Sequence, residues 1–241
     1  MKKLLVLFLV VSSTISVAQE SVLLRLKYKK GDVYSLKMKQ SMNSPAMMMG
    51  NNVDMEMSIL GKKGDVYTSE MKISKMTMDM MQGGMEMSYD STKKDDELDE
   101  MGKMMKAQIS PMLQMVITTK MNSLGKVMET KVVPNMPNAE QFSNQSVAYP
   151  EKAVKVGDTW NDEKNTQGMK TAIEYKVTKI TKNIVVLSTT GKVTGAGSGT
   201  MSGTLEIDKK SGMPIKSSMK SNIKANGQEM KVDIEMTMTK K

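Results

Sequence analysis

The sequence has no cysteine and no histidine, few aromatic residues and a single arginine. These absences exclude Ser-His-Asp triads, cysteine nucleophiles, thiolate or imidazole metal sites and disulfide frameworks. Carboxylate, lysine, hydroxyl and phenol chemistry remains available, but no motif brings such groups together. The sequence therefore predicts a protein that is not an enzyme and that carries no cofactor.

Positive charge is in excess, with 35 Lys and Arg against 26 Asp and Glu and a net charge of +9. Such an excess is typical of nucleic-acid-binding proteins. Here Arg25 is the only arginine, so bidentate contacts to phosphate or guanine are almost absent, and 6 Tyr, 2 Phe and 1 Trp offer few stacking surfaces. We expect a lysine-rich solvated surface and no nucleic-acid partner, with weak attraction to anionic lipid as the alternative.

The first residues have the pattern of a secretory signal peptide. Two lysines precede an apolar run over residues 4–11, and Ser16 and Ala18 place small residues before a cleavage site at Gln19. The run is too short to span a bilayer, and no cysteine follows it for lipid attachment. We therefore predict a signal peptide over residues 1–18 and export to the periplasm or the cell exterior, with no lipid anchor and no transmembrane segment in the mature chain.

Alternation of apolar and polar residues dominates the rest of the chain, for example along residues 53–59 and 230–238. A period of two residues predicts half-buried antiparallel strands with one wet face. In this arrangement one apolar interior is formed by Met55, Met57, Met230, Ile234 and Met236. The side chains that face water are Asp54, Glu56, Asp233 and Glu235. The apolar phase slips between Ile73 and Met76, which predicts a β-bulge near Ser74-Lys75.

A repeated turn motif separates the strands. The sequence Lys-Lys-Gly-Asp-Val-Tyr occurs at residues 29–34 and again at 62–67, and a variant occurs at 155–160. Glycine suits a turn position with positive φ, and aspartate accepts hydrogen bonds from its own backbone. Each copy therefore predicts a turn that leads into a strand.

One segment, near residues 92–107, has the pattern of a helix. Ser91 or Thr92 is the expected N-cap, with Asp95 in place for a capping box. Acidic residues crowd the expected start, which complements the helix dipole. The apolar stripe consists of Leu98, Met101, Met104 and Met105. A short helical turn is also expected near residues 139–142.

One predicted strand carries glycines on its inner face. Gly195, Gly197, Gly199 and Gly203 alternate with polar residues and share a face with Leu205. Glycines at such positions leave room for a helix, another chain segment or a ligand to come close. With the neighbouring methionines they define a candidate ligand groove, formed by Met55, Met57, Met76, Met78, Met80, Gly197, Gly199, Met201 and Leu205.

Methionine is the dominant apolar residue, with 30 in the chain and 22 of them between Met38 and Met136. Two interpretations stay open. In the first, methionine replaces leucine and isoleucine in the core and forms a surface that adapts to varied apolar ligands. In the second, thioether sulfurs of Met-x-Met pairs bind Cu(I) or Ag(I). The metal ligands of this second interpretation are Met76, Met78, Met80, Met85 and Met87.

Residues 205–214, Leu-Glu-Ile-Asp-Lys-Lys-Ser-Gly-Met-Pro, form a strand, a D-x-x-S-G-x-P turn and the start of another strand. This segment resembles a hairpin of the periplasmic lipoprotein carriers LolA and LolB. With residues 24–34, 89–91 and 155–160, it also resembles a family of uncharacterised exported bacterial proteins, a domain of unknown function. The carrier resemblance implies an antiparallel sheet curled into a half-barrel around helices, an apolar groove and no catalytic residue.

We therefore expect a single domain over residues 19–241 with a mainly β fold. It should be a strongly curved, LolA-like antiparallel sheet of roughly ten or more strands, with one or two helices on the concave side. The first functional expectation is an exported protein that binds a lipid, acyl chain or other apolar ligand in a Met-lined groove. The alternatives are a periplasmic Cu(I)/Ag(I)-binding protein and a structural cell-envelope protein without a small ligand. The sequence leaves the oligomeric state open.

Overall fold

The computed structural model describes residues 20–135, 146–166, 168–225 and 227–241. The predicted signal peptide and the predicted helical turn near 139–142 lie outside these residues. The strands are β1 (Val33–Ser44), β2 (Met47–Lys63), β3 (Val66–Gln82), β4 (Met85–Asp90), β5 (Val116–Asn122), β6 (Val127–Val133), β7 (Thr159–Thr166), β8 (Met169–Ile180), β9 (Ile184–Gly195), β10 (Gly197–Asp208), β11 (Pro214–Ala225) and β12 (Gln228–Lys240). A short 3₁₀ helix (Asp95–Glu97) precedes the α-helix α1 (Glu100–Leu113). Within the described ranges, no helix has the length and apolar character needed to cross a bilayer.

The twelve described strands form one antiparallel sheet in the order β6-β5-β3-β2-β1-β12-β11-β10-β9-β8-β7. β4 is not part of this linear order and pairs with β3. β12 lies between β1 and β11, so it connects the strands from the first part of the chain to those from the last part. The prediction of a mainly β, antiparallel fold is confirmed.

The sheet is strongly curved. Met38 on β1 and Lys164 on β7 line one cavity, although six strand steps separate them. In a flat sheet those residues would be about 29 Å apart. Glycines allow the close approach of neighbouring strands, since a Cβ atom on Gly199 would lie 2.2 Å from the carbonyl oxygen of Asn222 on β11. The predicted curvature is confirmed.

The alternating residues occupy the predicted faces. Met55 and Met57 are buried, while Asp233 and Glu235 are exposed on β12. Met230, Ile234 and Met236 are half-buried on the other face of β12, and Asp54 and Glu56 are half-buried on β2. The buried side chains form two core clusters: the first, under α1, includes Met55 and Met105, and the second includes Leu187 and Ile207. Tyr28 packs against both clusters, so it joins them into one apolar interior.

The predicted β-bulge is present. Asp54 pairs with Lys75 and Met55 pairs with Ile73, which leaves Ser74 as the extra residue of β3. The Ser74 hydroxyl donates a hydrogen bond of 3.0 Å to the carbonyl oxygen of Asp54. Because of this insertion, residue 73 and residues 76, 78 and 80 share one face of β3 despite the phase slip.

The helix lies further along the chain than predicted. Asp99 is the N-cap of α1, and its Oδ1 accepts a 2.7 Å hydrogen bond from the backbone N–H of Gly102. The expected caps have other roles: Ser91 Oγ accepts from the backbone N–H of Met76, and Thr92 donates to the carboxylate of Asp90. These contacts end β4, so the helix is not at 92–107, and the first acidic residues, Asp95–Glu97, form the 3₁₀ helix instead.

Two chain segments cross the concave side of the sheet at the end opposite α1. Residues 20–29, here called the strap, pair with residue Val154 through Val22. The strap also donates backbone hydrogen bonds of 2.8 Å from Leu26 to Ser123 and from Lys27 to Ser211. Residues 146–154, here called the crossing segment, run beside it. Together they cover the buried residues of the second core cluster.

Candidate functional site

The concave face contains an apolar groove with two chambers. The larger chamber has a volume of about 340 Å³ and the smaller one about 130 Å³. Ser146, Val147, Pro214 and Met236 line both chambers, so the chambers adjoin. The groove takes its apolar lining from strands on both sides of β12, chiefly Met38, Met57, Met71, Met121, Met201, Leu205, Met219, Ile234, Met236 and Met238.

Several side-chain hydrogen bonds hold the strap and the crossing segment over this groove. Tyr67 on β3 donates a 3.0 Å hydrogen bond from its hydroxyl to the carbonyl oxygen of Leu26. Arg25 donates to the carbonyl oxygen of Pro150 at 2.7 Å, which ties the strap to the crossing segment. Tyr149 donates to the carbonyl oxygen of Gly212 at 2.7 Å. The strap and the crossing segment therefore form a roof over the groove, and hydrogen bonds join this roof to the sheet at several separate points.

The D-x-x-S-G-x-P turn holds the strap. The Asp208 carboxylate accepts hydrogen bonds from the backbone N–H and the hydroxyl of Ser211. Gly212 has a φ of +70°, and a Cβ atom at this position would lie only 1.8 Å from the carbonyl oxygen of Arg25. Only glycine therefore fits where the strap passes, so the turn that carries the resemblance to lipoprotein carriers has a structural role in this chain.

Tyr28 of the strap and Tyr149 of the crossing segment line the smaller chamber. The ring of Tyr28 lies 5.7 Å from that of Tyr34 and 5.4 Å from that of Tyr67, both in edge-on geometry. Burial raises the pKa of the Tyr28 and Tyr149 hydroxyls above the usual tyrosine value. Both phenols are protonated at neutral pH, and the hydroxyl of Tyr149 donates its proton in the hydrogen bond to Gly212.

Lys164 is the only charged residue among the described residues that line the groove. It is on β7, directly opposite Thr171 of β8, and its ammonium donates a hydrogen bond to the carbonyl oxygen of Ser146. Burial lowers the pKa of Lys164, while nearby Asp162 acts in the opposite direction. The groove thus combines a long apolar surface with one amine at its β7 side.

Several of the residues predicted for the groove lie elsewhere. Met57, Met201 and Leu205 line it. Met55 and Met76 are buried in the core cluster under α1.

The other residues predicted for the groove lie at three different places in the structure. Met78 packs at the margin of the core under α1, and Met80 lines a separate cavity near the hairpin tips. Gly197 and Gly199 approach the backbone of β11. Their predicted role in ligand binding stays a prediction.

Methionine side chains occupy the space that the glycines leave. A Cβ atom on Gly203 would lie 2.3 Å from the carbonyl oxygen of Ser218 and 2.4 Å from Sδ of Met219, and one on Gly191 would lie 2.5 Å from Cγ of Met201. The hydroxyl of Thr189 reaches across to the Met219 sulfur at 3.4 Å. Because the glycines have no side chain, flexible methionines from adjacent strands lie over the backbone at these positions and form the wall of the groove.

The structure brings together two of the five methionines predicted as metal ligands. Met80 lies directly opposite Met87. Met76 and Met78 face other partners across the strands, and Met85 is 61% exposed at the tip of β4. Among the described residues, no three acidic side chains converge on a metal site.

Sequence reasoning missed Met236 and Lys164 as groove residues. Met236 is part of the alternating pattern of β12, so its inward face was predictable, but its central position depends on the strand order. Lys164 has no signal in the sequence, because only the pairing of β7 with β8 and the curvature place it at the groove.

A search among curated proteins found no match to this chain. The predicted resemblance to an uncharacterised family is confirmed for part of the chain, whereas the likeness to the lipoprotein carriers stays a prediction. The matching part runs from the crossing segment through β7, β8, β9 and β10 to the start of β11, so it includes Lys164 and the D-x-x-S-G-x-P turn. Residues 138–214 match the model of a family of unknown function, DUF6263, and this part of the chain is similar to that family.

Proposed function

We propose that the protein is an exported, non-enzymatic binder of an apolar or amphiphilic ligand, such as a lipid or acyl chain, and that the groove is its binding site. The supporting observation is the lining of the two adjoining chambers, which consists mainly of methionine and other apolar side chains. Binding sites for small apolar molecules are typically concave, apolar and equipped with few polar groups. Methionine side chains adapt to ligands of different shape.

The arrangement of the chambers favours an elongated ligand. They adjoin at Met236 and together extend from β5 and β6 on one side to β7 on the other. An acyl chain laid along this path would replace water next to methionine and tyrosine surfaces. Each buried methylene group contributes about 0.8 kcal/mol to such binding, so affinity should increase with chain length.

Lys164 favours an anionic group at one end of that ligand. Its ammonium lies at the β7 side of the larger chamber and is partly desolvated. A carboxylate or phosphate placed there would form a charge-assisted hydrogen bond. The preferred ligand is therefore an amphiphile with an acidic head, with the head near Lys164 and the tail directed toward Met236.

The test uses palmitate and the alcohol of the same chain length, each measured by displacement of a fluorescent fatty acid. Ser217→Phe introduces a bulky ring into the larger chamber, whereas Ser218→Phe on the same strand faces the other side of the sheet. We expect Ser217→Phe to weaken palmitate binding by about tenfold or more and Ser218→Phe to leave it near wild type. Lys164→Met should reduce the preference for palmitate over the alcohol.

Two results would contradict the proposal. One is the absence of saturable palmitate binding by the wild-type protein, which would favour a structural protein without a small ligand. The other is equal palmitate affinity of the two phenylalanine variants, with melting temperatures showing that both are folded, because binding would then occur outside the groove.

A further inference from the structure

A row of four methionines crosses the tips of two hairpins, away from the groove. Met42 lies directly opposite Met49, Met49 opposite Met80, and Met80 opposite Met87. Directly opposed Cβ atoms of antiparallel strands are about 5 Å apart. These four residues, here called the methionine row, therefore place four thioethers side by side across β1, β2, β3 and β4.

Core packing does not account for the methionine row. All four residues are half-buried. Among the described residues, the core cluster under α1 extends to Met87 but does not include Met42, Met49 or Met80. The row instead lines an open cavity of about 670 Å³ at the hairpin tips. Each of these four side chains is thus partly open to solvent.

The surroundings of the row favour a cation. The charged residues that line this cavity within the described part of the chain are Asp79, Glu86 and Asp99, all acidic in a protein of net charge +9. Asp79 and Glu86 alternate with Met80 and Met87 along their strands, so they face the other side and contribute negative potential rather than ligands.

A buried oxygen lies one step further into the sheet. Asn51 follows Met49 by two residues on β2 and therefore shares its face. Its side-chain oxygen is buried and has no hydrogen-bond partner among the described residues. Buried acceptors are normally satisfied, and a positive charge in the adjacent cavity would stabilise this one.

We propose that the methionine row binds one Cu(I) or Ag(I) ion. Thioethers are soft donors that favour these ions. Methionine has three rotatable side-chain bonds, so the sulfurs of the central pair, Met49 and Met80, converge on one ion together with a sulfur from Met42 or Met87. The site shares no residue with the groove and is independent of the proposed function.

The test is competition for Cu(I) against bicinchoninate under reducing, oxygen-free conditions, repeated with Ag(I) by calorimetry. The double variant Met49→Leu/Met80→Leu keeps the apolar volume and removes the two central sulfurs. Met71→Leu/Met121→Leu, in the groove, removes the same number of sulfurs elsewhere. We expect the wild type and the groove variant to retain one ion per chain, and the row variant to lose about tenfold or more in affinity.

Unchanged Cu(I) affinity of the row variant would overturn the proposal. An equal loss in both double variants would also overturn it, because the ion would then be held by dispersed thioethers. Melting temperatures establish that each variant is folded, and the single variant Met49→Leu, which removes one of the two central sulfurs, gives a smaller loss of the same kind should the double variant prove unstable. Palmitate binding by the row variant should equal that of the wild type, which separates this result from the test of the groove.

Discussion

At the scale of residues, the glycines of β9 and β10 combine two different requirements. Gly199 and Gly203 are close to the backbone of β11, whereas the nearest neighbour of Gly191 is the flexible side chain of Met201 on β10. Backbone cannot move away from an added methyl group as a flexible side chain can. The same substitution should therefore have different costs at these positions.

Gly199→Ala should destabilise the protein by about 1–3 kcal/mol, as expected for overpacking. The added Cβ would lie 2.2 Å from the Asn222 carbonyl oxygen and 2.8 Å from Cα of Ile223, so strands β10 and β11 must separate. Gly61→Ala is the matched control, because a Cβ there meets nothing within 4 Å. Urea unfolding measures both variants, and equal midpoints would show that the strands tolerate the methyl group.

Lys164→Met tests the burial of the groove amine through its pH dependence. Burial lowers the folded-state pKa of Lys164 below its ordinary value of 10.5. Between these two values the unfolded chain binds more protons, so this lysine makes the wild type more stable as pH rises. The melting temperature of Lys164→Met minus that of the wild type should thus fall as pH rises from neutral toward 10.5.

The exposed Lys176→Met is the control for this measurement. A difference for Lys164→Met that stays constant over the same pH range would mean that the amine is fully solvated in the folded protein. In that case the groove would not favour an acidic ligand by the mechanism given above.

At the scale of elements, α1 depends on its first turn. Its N-terminus is fixed by Asp99, and its inner side buries Met105 and Ile109 against β3 and β4. The acidic run did signal a helix start, but several Asp, Ser and Thr residues were equally suitable caps. The turn after β4 uses the earlier ones, and that turn depends on strand pairing that the local sequence does not encode.

Asp99→Ala should destabilise the protein by about 0.5–2 kcal/mol, because the backbone N–H of Gly102 loses its acceptor. Asp96→Ala removes an equal charge from the exposed 3₁₀ helix and should change stability by less. Chemical unfolding followed by far-UV circular dichroism compares the two. A larger loss for Asp96→Ala would place the functional cap earlier in the chain.

At the scale of the whole molecule, local sequence patterns predicted the strands and their buried faces, whereas the strand order depends on pairing between distant parts of the chain. The alternation around Met55 and Met57 correctly indicated a sheet with one buried face, and the phase slip indicated the bulge at Ser74. Strand order was not predictable, because β1 pairs with β12 through residues such as Tyr34 and Lys240, far apart in the chain. The groove and the methionine row both depend on that order, since each is assembled from several strands.

A chain that ends after Gly227 should fail to form the complete sheet. Without β12, strands β1 and β11 lose their shared partner and each presents an open edge, which favours aggregation. A synthetic peptide of residues 228–241 should restore monomeric, folded protein, as measured by size-exclusion chromatography and circular dichroism. A soluble, fully folded truncated chain that gains nothing from the peptide would contradict the central role of β12.

The position of β12 also has a consequence for the order of synthesis. A ribosome makes this strand after the other eleven described strands, yet it is the strand that joins the two parts of the sheet. A nascent chain therefore carries two incomplete sheets whose edges stay open until residues 228–240 emerge. The open edges of β1 and β11 are therefore most exposed to wrong pairing with other chains in the interval before β12 is made.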